Sequence, residues 1–506
     1  MKAFTEPLLS LAGFEEMTKT AEKSSGLISV TGCIDAQKSQ MIYAFGGHRK
    51  NKLIVTFGEQ KAKELYDEYS FFDKEVVYYP SKDVLFYQSD IRGNLLTAER
   101  IRALKAIHEQ ERVTLVTTFD ALMNTMAPIE KMWENVLTLE QGQLLDLKEI
   151  QAALIRMGYE KEYQVQTMGQ FSVRGGILDV FPLTEENPIR IELWGDEIDT
   201  IRYFDCESQK SIENIDRVSI YPAAELVLSD EEKAGGIEKL KAEAKRVSDK
   251  LRKQMKTEEA HRVTVMADEL TEEWGELSMY AGMDAFLSYF FDERVGILDY
   301  FNPSDSLIFF DELTRCTEQG KLTETEFSES MKQRLAMGYI LPGQMNGLFT
   351  EKEIVAKLGK YSCIALAALD NKANGLHQLG SYGIHCQSVS PYNNSFELLI
   401  KDLKRYKKNG YRVILLSGSR TRAKRLSEDI TDQGITCFYT ENYDHELSEG
   451  QIMVCYGKVR RGFEYPILKF AVITESDIFG AQQKKKKRHR CLLYTSPSPR
   501  DRSVSR

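Results

Sequence analysis

The 506-residue sequence predicts a multidomain α/β protein: a split parallel-sheet domain interrupted by an inserted strand-rich α+β module, followed by a small α/β domain. Three observations lead there. Residues 1 to about 130 alternate apolar strand-like runs with helical stretches, the pattern of a parallel sheet covered by helices. From Leu144 to about Pro222 the texture changes to short alternating strands with glycine turns. An apolar strand ending in two carboxylates, Leu307–Glu312, then resumes the first texture. Length alone argues for ~3 to 4 domains at roughly 100 to 200 residues each.

Leu27–Val30 is strand-like, and Lys38–Phe45 opens a helix. Between them, Gly32–Ser39 (GCIDAQKS) fits the phosphate-binding pattern G-x-x-x-x-G-K-[ST] except at Gln37, where glycine should precede Lys38. In a working loop, consecutive backbone N–H groups and the helix N-terminus hold the anion at close range, so a side chain at this position obstructs the turn. Gln37 therefore argues against tight nucleotide binding. Taken alone, the octet fits either a lapsed phosphate loop or an ordinary strand-to-helix turn.

Leu53–Phe57, Glu75–Tyr79 and Val113–Thr117 continue the strands, with helices expected over Gln60–Tyr69 and Thr97–Gln110. The inserted module follows with strands at Gln170–Val173, Gly176–Phe181, Ile189–Trp194 and Ile198–Phe204, punctuated by Arg174-Gly175-Gly176 and Trp194-Gly195-Asp196. Ile237, Leu240, Ala244, Val247, Leu251 and Met255 recur at steps of three or four, predicting one amphipathic helix from Glu231 to about Lys256. In phosphate-loop ATPases, a strand like Leu307–Phe310 lies near the loop and its acid reaches magnesium. A surface strand ending in Asp311 and Glu312 is the plain alternative; joint occurrence with Lys38 favours the ATPase-like scaffold. Arg412–Ser417 begins a further strand-helix unit with Ser419 as helix cap, and the helix carries Arg420, Arg422, Lys424 and Arg425. That arginine cluster reads as a solvated face, since no aromatic residues interleave it for base stacking.

The expected boundaries are 1–135 and 226–384 for the two halves of the sheet domain, 136–225 for the insert, 385–480 for the small domain, and 481–490 for a basic linker. Residues 491–506 have no period and resemble a translated sequencing-adapter end, so a non-native tail is expected there. The net charge is −9, but residues 481–506 carry nine Lys/Arg against Asp501 alone, which leaves the rest at about −17. Such a body repels nucleic acid unless a local basic face exists. The eight cysteines are scattered without zinc spacing, so reduced, mostly buried thiols and no metal site are expected. No run of ~18 apolar residues and no secretory signal is present, which predicts a cytoplasmic location.

The loop, the Asp311-Glu312 strand and above all the segments Gln170–Pro182 (QFSVRGGILDVFP) and Ile189–Ile198 (IRIELWGDEI) resemble the bacterial transcription-repair coupling factor family, Mfd, over residues 1 to 490. The order also resembles the excision-repair protein UvrB: a split RecA-like domain interrupted by a small module. Between Tyr78 and Asn94, however, the sequence lacks UvrB's long aromatic DNA-gripping hairpin, and Asp311-Glu312-Leu313-Thr314 stands where a helicase carries Asp-Glu-Ser-His.

The resemblance implies a docking scaffold that recruits UvrA where RNA polymerase has stalled, with Arg174, Arg190 and Trp194 as contacts and Phe171 and Phe181 in the core. The alternative for the arginines is pairing with Glu192 and Asp196 inside the module. Gly32, Gln37, Lys38, Ser39, Asp311 and Glu312 would form a degenerate nucleotide site with no catalytic residue. The family continues into an RNA polymerase-binding domain and an ATP- and magnesium-dependent motor acting on double-stranded DNA. This chain is accordingly expected to be an N-terminal fragment needing no cofactor. Competing expectations are a functional ATPase or helicase and a UvrB-like damage binder.

Overall fold

The computed structural model describes residues 1–46, 49–82, 93–276, 282–369 and 375–480. The basic run and tail at 481–506, and most of the segment compared with the UvrB hairpin, lie outside the described residues. Four strands open the chain: β1 (Gly26–Thr31), β2 (Asn51–Thr56), β3 (Val76–Tyr79) and β4 (Val113–Thr118). The chain then enters the module through β5 (Leu137–Glu140) and the helix Leu147–Arg156. Strands β6 (Glu160–Lys161), β7 (Gln170–Arg174), β8 (Ile177–Val180), β9 (Ile189–Trp194), β10 (Glu197–Phe204) and β11 (Ser211–Ile215) follow, and β12 (Arg217–Ile220) leads out. These form a six-stranded sheet, ordered β11-β10-β9-β8-β7-β6 and antiparallel except for β6 beside β7, plus the pair β12-β5. Alternation along the strands turns Phe171, Leu178, Val180, Ile189, Ile191 and Ile201 inward, where they pack with Ile150 and Leu154.

Beyond the module the structure departs from the single expected helix. The first helix is Asp230–Lys253, fastened by a Ser229–Glu232 capping box; a second, Thr257–Glu276, packs back along it. Met255, expected on the apolar face, instead turns the chain in a left-handed conformation (φ 61°) and is 87% exposed. The hairpin core is closed by Trp274 against Phe286 and Phe290.

Strands β13 (Ser306–Asp311), β14 (Ser362–Leu366) and β15 (Gln378–Gly383) then complete the first sheet. Its order is β15-β1-β14-β13-β2-β4-β3, and every adjacent pair is parallel. The central strands are buried throughout, as parallel strands covered on both faces must be. An ionic cluster holds the point where the module rejoins. Arg100, fully buried, reaches Glu225 with two nitrogens (2.7 and 3.1 Å) and the Pro80 carbonyl (2.6 Å), while Lys82 bridges Glu225 (3.2 Å) and Asp284 (2.8 Å). Burial alone would raise the Glu225 carboxyl, but the two cations outweigh it and hold it down to about 2.

The remaining strands are β16 (Gln387–Ser388), β17 (Arg412–Ser417), β18 (Phe438–Tyr439), β19 (Ile452–Tyr456), β20 (Phe463–Tyr465) and β21 (Phe470–Thr474), in the order β16-β20-β21-β17-β19-β18. Val413 and Leu415 face the helices Phe396–Lys408 and Arg420–Asp432; Ile414 and Leu416 face the other way and share a core with Met41 and Ile42 of the helix Asp35–Gly46 and with Phe71, in the turn after the helix Glu59–Tyr69. The helix Asp35–Gly46 is consequently covered on nearly all sides, with Gln37 through Ile42 buried. Tyr465 hydrogen-bonds Gln40 (3.3 Å), and Arg460 pairs with Glu64 (2.8 Å) across the same junction. Ser419 stands at the start of its helix, but its side chain makes no capping bond. Just before the helix, the Glu475 carboxylate accepts from the Gly418 N–H (2.7 Å) and the Ser417 hydroxyl (2.9 Å).

Candidate functional site

β1 and β13 flank β14, and Val30 and Asp311 are both in register with Leu366. The loop after β1 therefore opens directly toward the acidic end of β13, as the sequence pattern requires. What fills that space is the protein itself. Lys38 is fully buried, and its ammonium donates to Asp311 Oδ1 (2.5 Å), Glu312 Oε1 (2.9 Å) and Asp35 Oδ1 (3.2 Å). Thr56, at the end of β2, holds the other Asp311 oxygen at 2.9 Å, and Lys61 pairs with Asp35 at 2.9 Å. Burial disfavours the Lys38 charge, yet Asp311 and Glu312 overcome it and hold its pKa above the ordinary lysine value.

Two of the backbone donors at the start of the loop are committed as well. The Gly32 N–H bonds the Ala368 carbonyl (3.3 Å) and the Cys33 N–H bonds that of Ala367 (2.9 Å), both just beyond β14. Gly32 has φ 79°, and a Cβ there would lie 2.1 Å from the Ile384 carbonyl oxygen, so glycine is required for packing alone. Gln37 is fully buried with no regular hydrogen bond on its amide; its polar neighbour is the Cys33 thiol, which burial pushes up to about 12. Ser39 is buried too, and its hydroxyl has no hydrogen-bond partner among the described residues. Glu312 adopts a left-handed conformation (φ 61°), which costs a side-chain-bearing residue ~1–2 kcal/mol. That conformation places its carboxylate to receive both Lys38 and the Ala368 N–H (3.1 Å). With the lysine neutralised, the Gly32 and Cys33 donors committed and an amide in the turn, these residues do not fit a magnesium-bound nucleotide.

The module gathers a second set of charged residues. Ser172 and Arg174 on β7, Asp179 on β8, Arg190 and Glu192 on β9 and Arg202 on β10 lie on the sheet face opposite the apolar core. Asp179, almost fully buried, accepts Arg174 Nη2 (2.9 Å) and both Arg190 Nε (2.7 Å) and Nη2 (2.8 Å). Neither arginine pairs with Glu192 or Asp196; Glu192 is taken by Arg202 (3.0 Å for one of two bonds). Arg190 also bonds Gln209 (2.9 Å) and lies over the Phe204 ring, 4.4 Å from its centroid. It is 13% exposed, against 37% for Arg174. Trp194 stands 83% exposed at the tip of the β9-β10 hairpin, which Gly195 turns at φ 66°. Phe171 and Phe181 are buried. Asp179 and Arg202 complete the face and were not singled out from sequence; both lie directly across from Arg190 by strand register, which spacing along the chain does not display.

Fold and sites together define a class: a multidomain α/β protein whose loop after β1 is filled by the protein's own charged groups, carrying a strand module with a charged outward face. Residues 137–226 match the family model described as the UvrB interaction domain. Along most of its length the chain is similar to transcription-repair-coupling factors. It is 28% identical over 441 residues to that of Bacillus subtilis, covering 87% of this chain and 37% of the relative. It is 26% identical to those of Staphylococcus haemolyticus (471 residues; 91% and 39%) and Staphylococcus aureus MRSA252 (488 residues; 94% and 40%). The chain is thus similar to the N-terminal portion of such factors and spans about two-fifths of their length. Among the described residues no helix is long and apolar enough to cross a membrane.

Proposed function

We propose that this chain is a docking scaffold of transcription-coupled nucleotide excision repair in the cytoplasm, whose inserted module recruits UvrA to sites of stalled RNA polymerase. In the same reading, ATP-driven translocation on double-stranded DNA and binding of RNA polymerase belong to the part of such a protein that this chain does not span. The observation that carries the proposal is Trp194, projecting from a charged face inside the segment that matches the UvrB interaction domain. An exposed indole buries a large apolar area on docking, and a half-free guanidinium such as Arg174 adds a directional charge-assisted bond. Arg190, gripped by Asp179, sets the height and tilt of the face.

Immobilised UvrA should capture the wild-type chain, while Trp194→Ala and Arg174→Ala, which leaves Asp179 paired with Arg190, should each weaken capture by roughly tenfold or more. Circular dichroism should show both variants folded. Undiminished capture by the double variant would refute the docking face. Arg190→Ala is the poorer probe, because it strips a buried carboxylate of its main partner.

A further inference from the structure

At the pole of the first sheet opposite the phosphate loop, where β2 and β4 begin, lies an open cleft of about 520 Å³. Its lining includes Arg49, Lys50, Lys52, Lys74 and Arg112, with Asp73 and Glu75 as the acids. This concentration of positive charge stands out on a body whose residues 1–480 sum to about −17. Lys52 is the structural member: it bonds the Tyr69 hydroxyl (3.1 Å) and Asp73 (3.4 Å), and Asp73 is also held by Thr114 (2.7 Å). Those two charges cancel. Among the described residues Arg49 is held only by uncharged carbonyls, of Ser304 and Ala21 (2.6 Å), and Lys74 by that of Ser70 (3.1 Å), and neither forms an ion pair there. Lys50 and Arg112 are exposed and form no ion pair among the described residues.

We propose that this cleft binds a stretch of single-stranded nucleic acid, with Lys50, Lys74, Arg112 and Arg49 facing its phosphates. The cations come from three separate segments of chain around an open cleft, a layout suited to an extended polyanion rather than one phosphate. Tyr43 and the 67% exposed Leu9 line the same cleft and offer an apolar surface to a base. A basic groove combined with an aromatic surface is the physical requirement for sequence-tolerant single-strand binding. The surrounding acidic surface confines that binding to this place. The inference is independent of the UvrA docking face.

The test is fluorescence anisotropy of a fluorescein-labelled oligothymidine titrated with the whole chain at several salt concentrations. Affinity should fall with salt, and Lys50→Glu with Arg112→Glu should lower it about tenfold or more. Loss of two phosphate contacts should flatten the log–log salt slope by about 1.4. Lys404→Glu with Lys408→Glu, an equal charge change on the helix Phe396–Lys408, should bind as wild type does. All four side chains are exposed, so folding should be retained. The proposal is overturned if the wild type shows no salt-sensitive binding, or if both double variants weaken it equally.

Discussion

Gln37 is the residue that breaks the phosphate-loop pattern, and it is fully buried. A buried amide whose polar neighbour is only a weakly bonding thiol costs ~1–3 kcal/mol, so the position is destabilising. Gln37→Leu keeps the volume and removes the stranded polar atoms; it should raise stability by about 1 kcal/mol in urea unfolding with an unchanged slope, and a loss of stability would contradict this reading. Gln37, Lys38, Asp311 and Glu312 were legible because the first two fall within a contiguous pattern and the acids end an apolar strand. Thr56 and the carbonyls of Ala367 and Ala368 were not, because only strand order and register bring them to the loop. The same limit hid Asp179. Its role depends on lying directly across from Arg190, a cross-strand relation that sequence spacing does not display.

Among elements, the helix Asp35–Gly46 shows how strongly neighbours decide burial. Its sequence carries polar residues on every side, yet Gln37, Lys38, Ser39 and Gln40 are all buried because two sheets close over it. The adjacent helix Glu59–Tyr69 brings Glu68 into the same junction, where burial pushes its carboxyl from 4.5 up to about 7 against the opposing charges of Arg460 and Lys61. A carboxyl with a higher pKa in the folded state binds its proton preferentially there. Its contribution to stability is therefore present at low pH and lost as pH rises from about 4.5 through 7. Glu68→Gln should raise the thermal midpoint at pH 8 and match wild type near pH 5; a lower midpoint at pH 8 would show that the Arg460 contact outweighs desolvation. The hairpin of Asp230–Lys253 and Thr257–Glu276 was only half legible. The apolar period identified its first helix, but Met255 continued that period by chance through the turn.

For the whole molecule, the class was legible because texture is a long-range signal: buried parallel strands, then alternating ones, then buried strands again. The return of β13 to the first sheet followed from its acidic end, and the parallel order with β14 between β1 and β13 gives that expectation its geometry. The sequence did not convey the shared core between the first sheet and the small domain. No local pattern shows that Ile414 and Leu416 will meet Met41 and Phe71. That shared core seals the loop helix, while the module's charged face points outward.

Calorimetric titration of magnesium-ATP into the wild-type chain and into Gln37→Gly tests this closure. With Lys38 held by three carboxylates and the Gly32 and Cys33 donors committed, neither protein should give a saturable heat at millimolar nucleotide, even though the variant restores the loop pattern. Saturable binding by the wild type that Lys38→Ala abolishes would show the pocket to be open and the scaffold reading wrong.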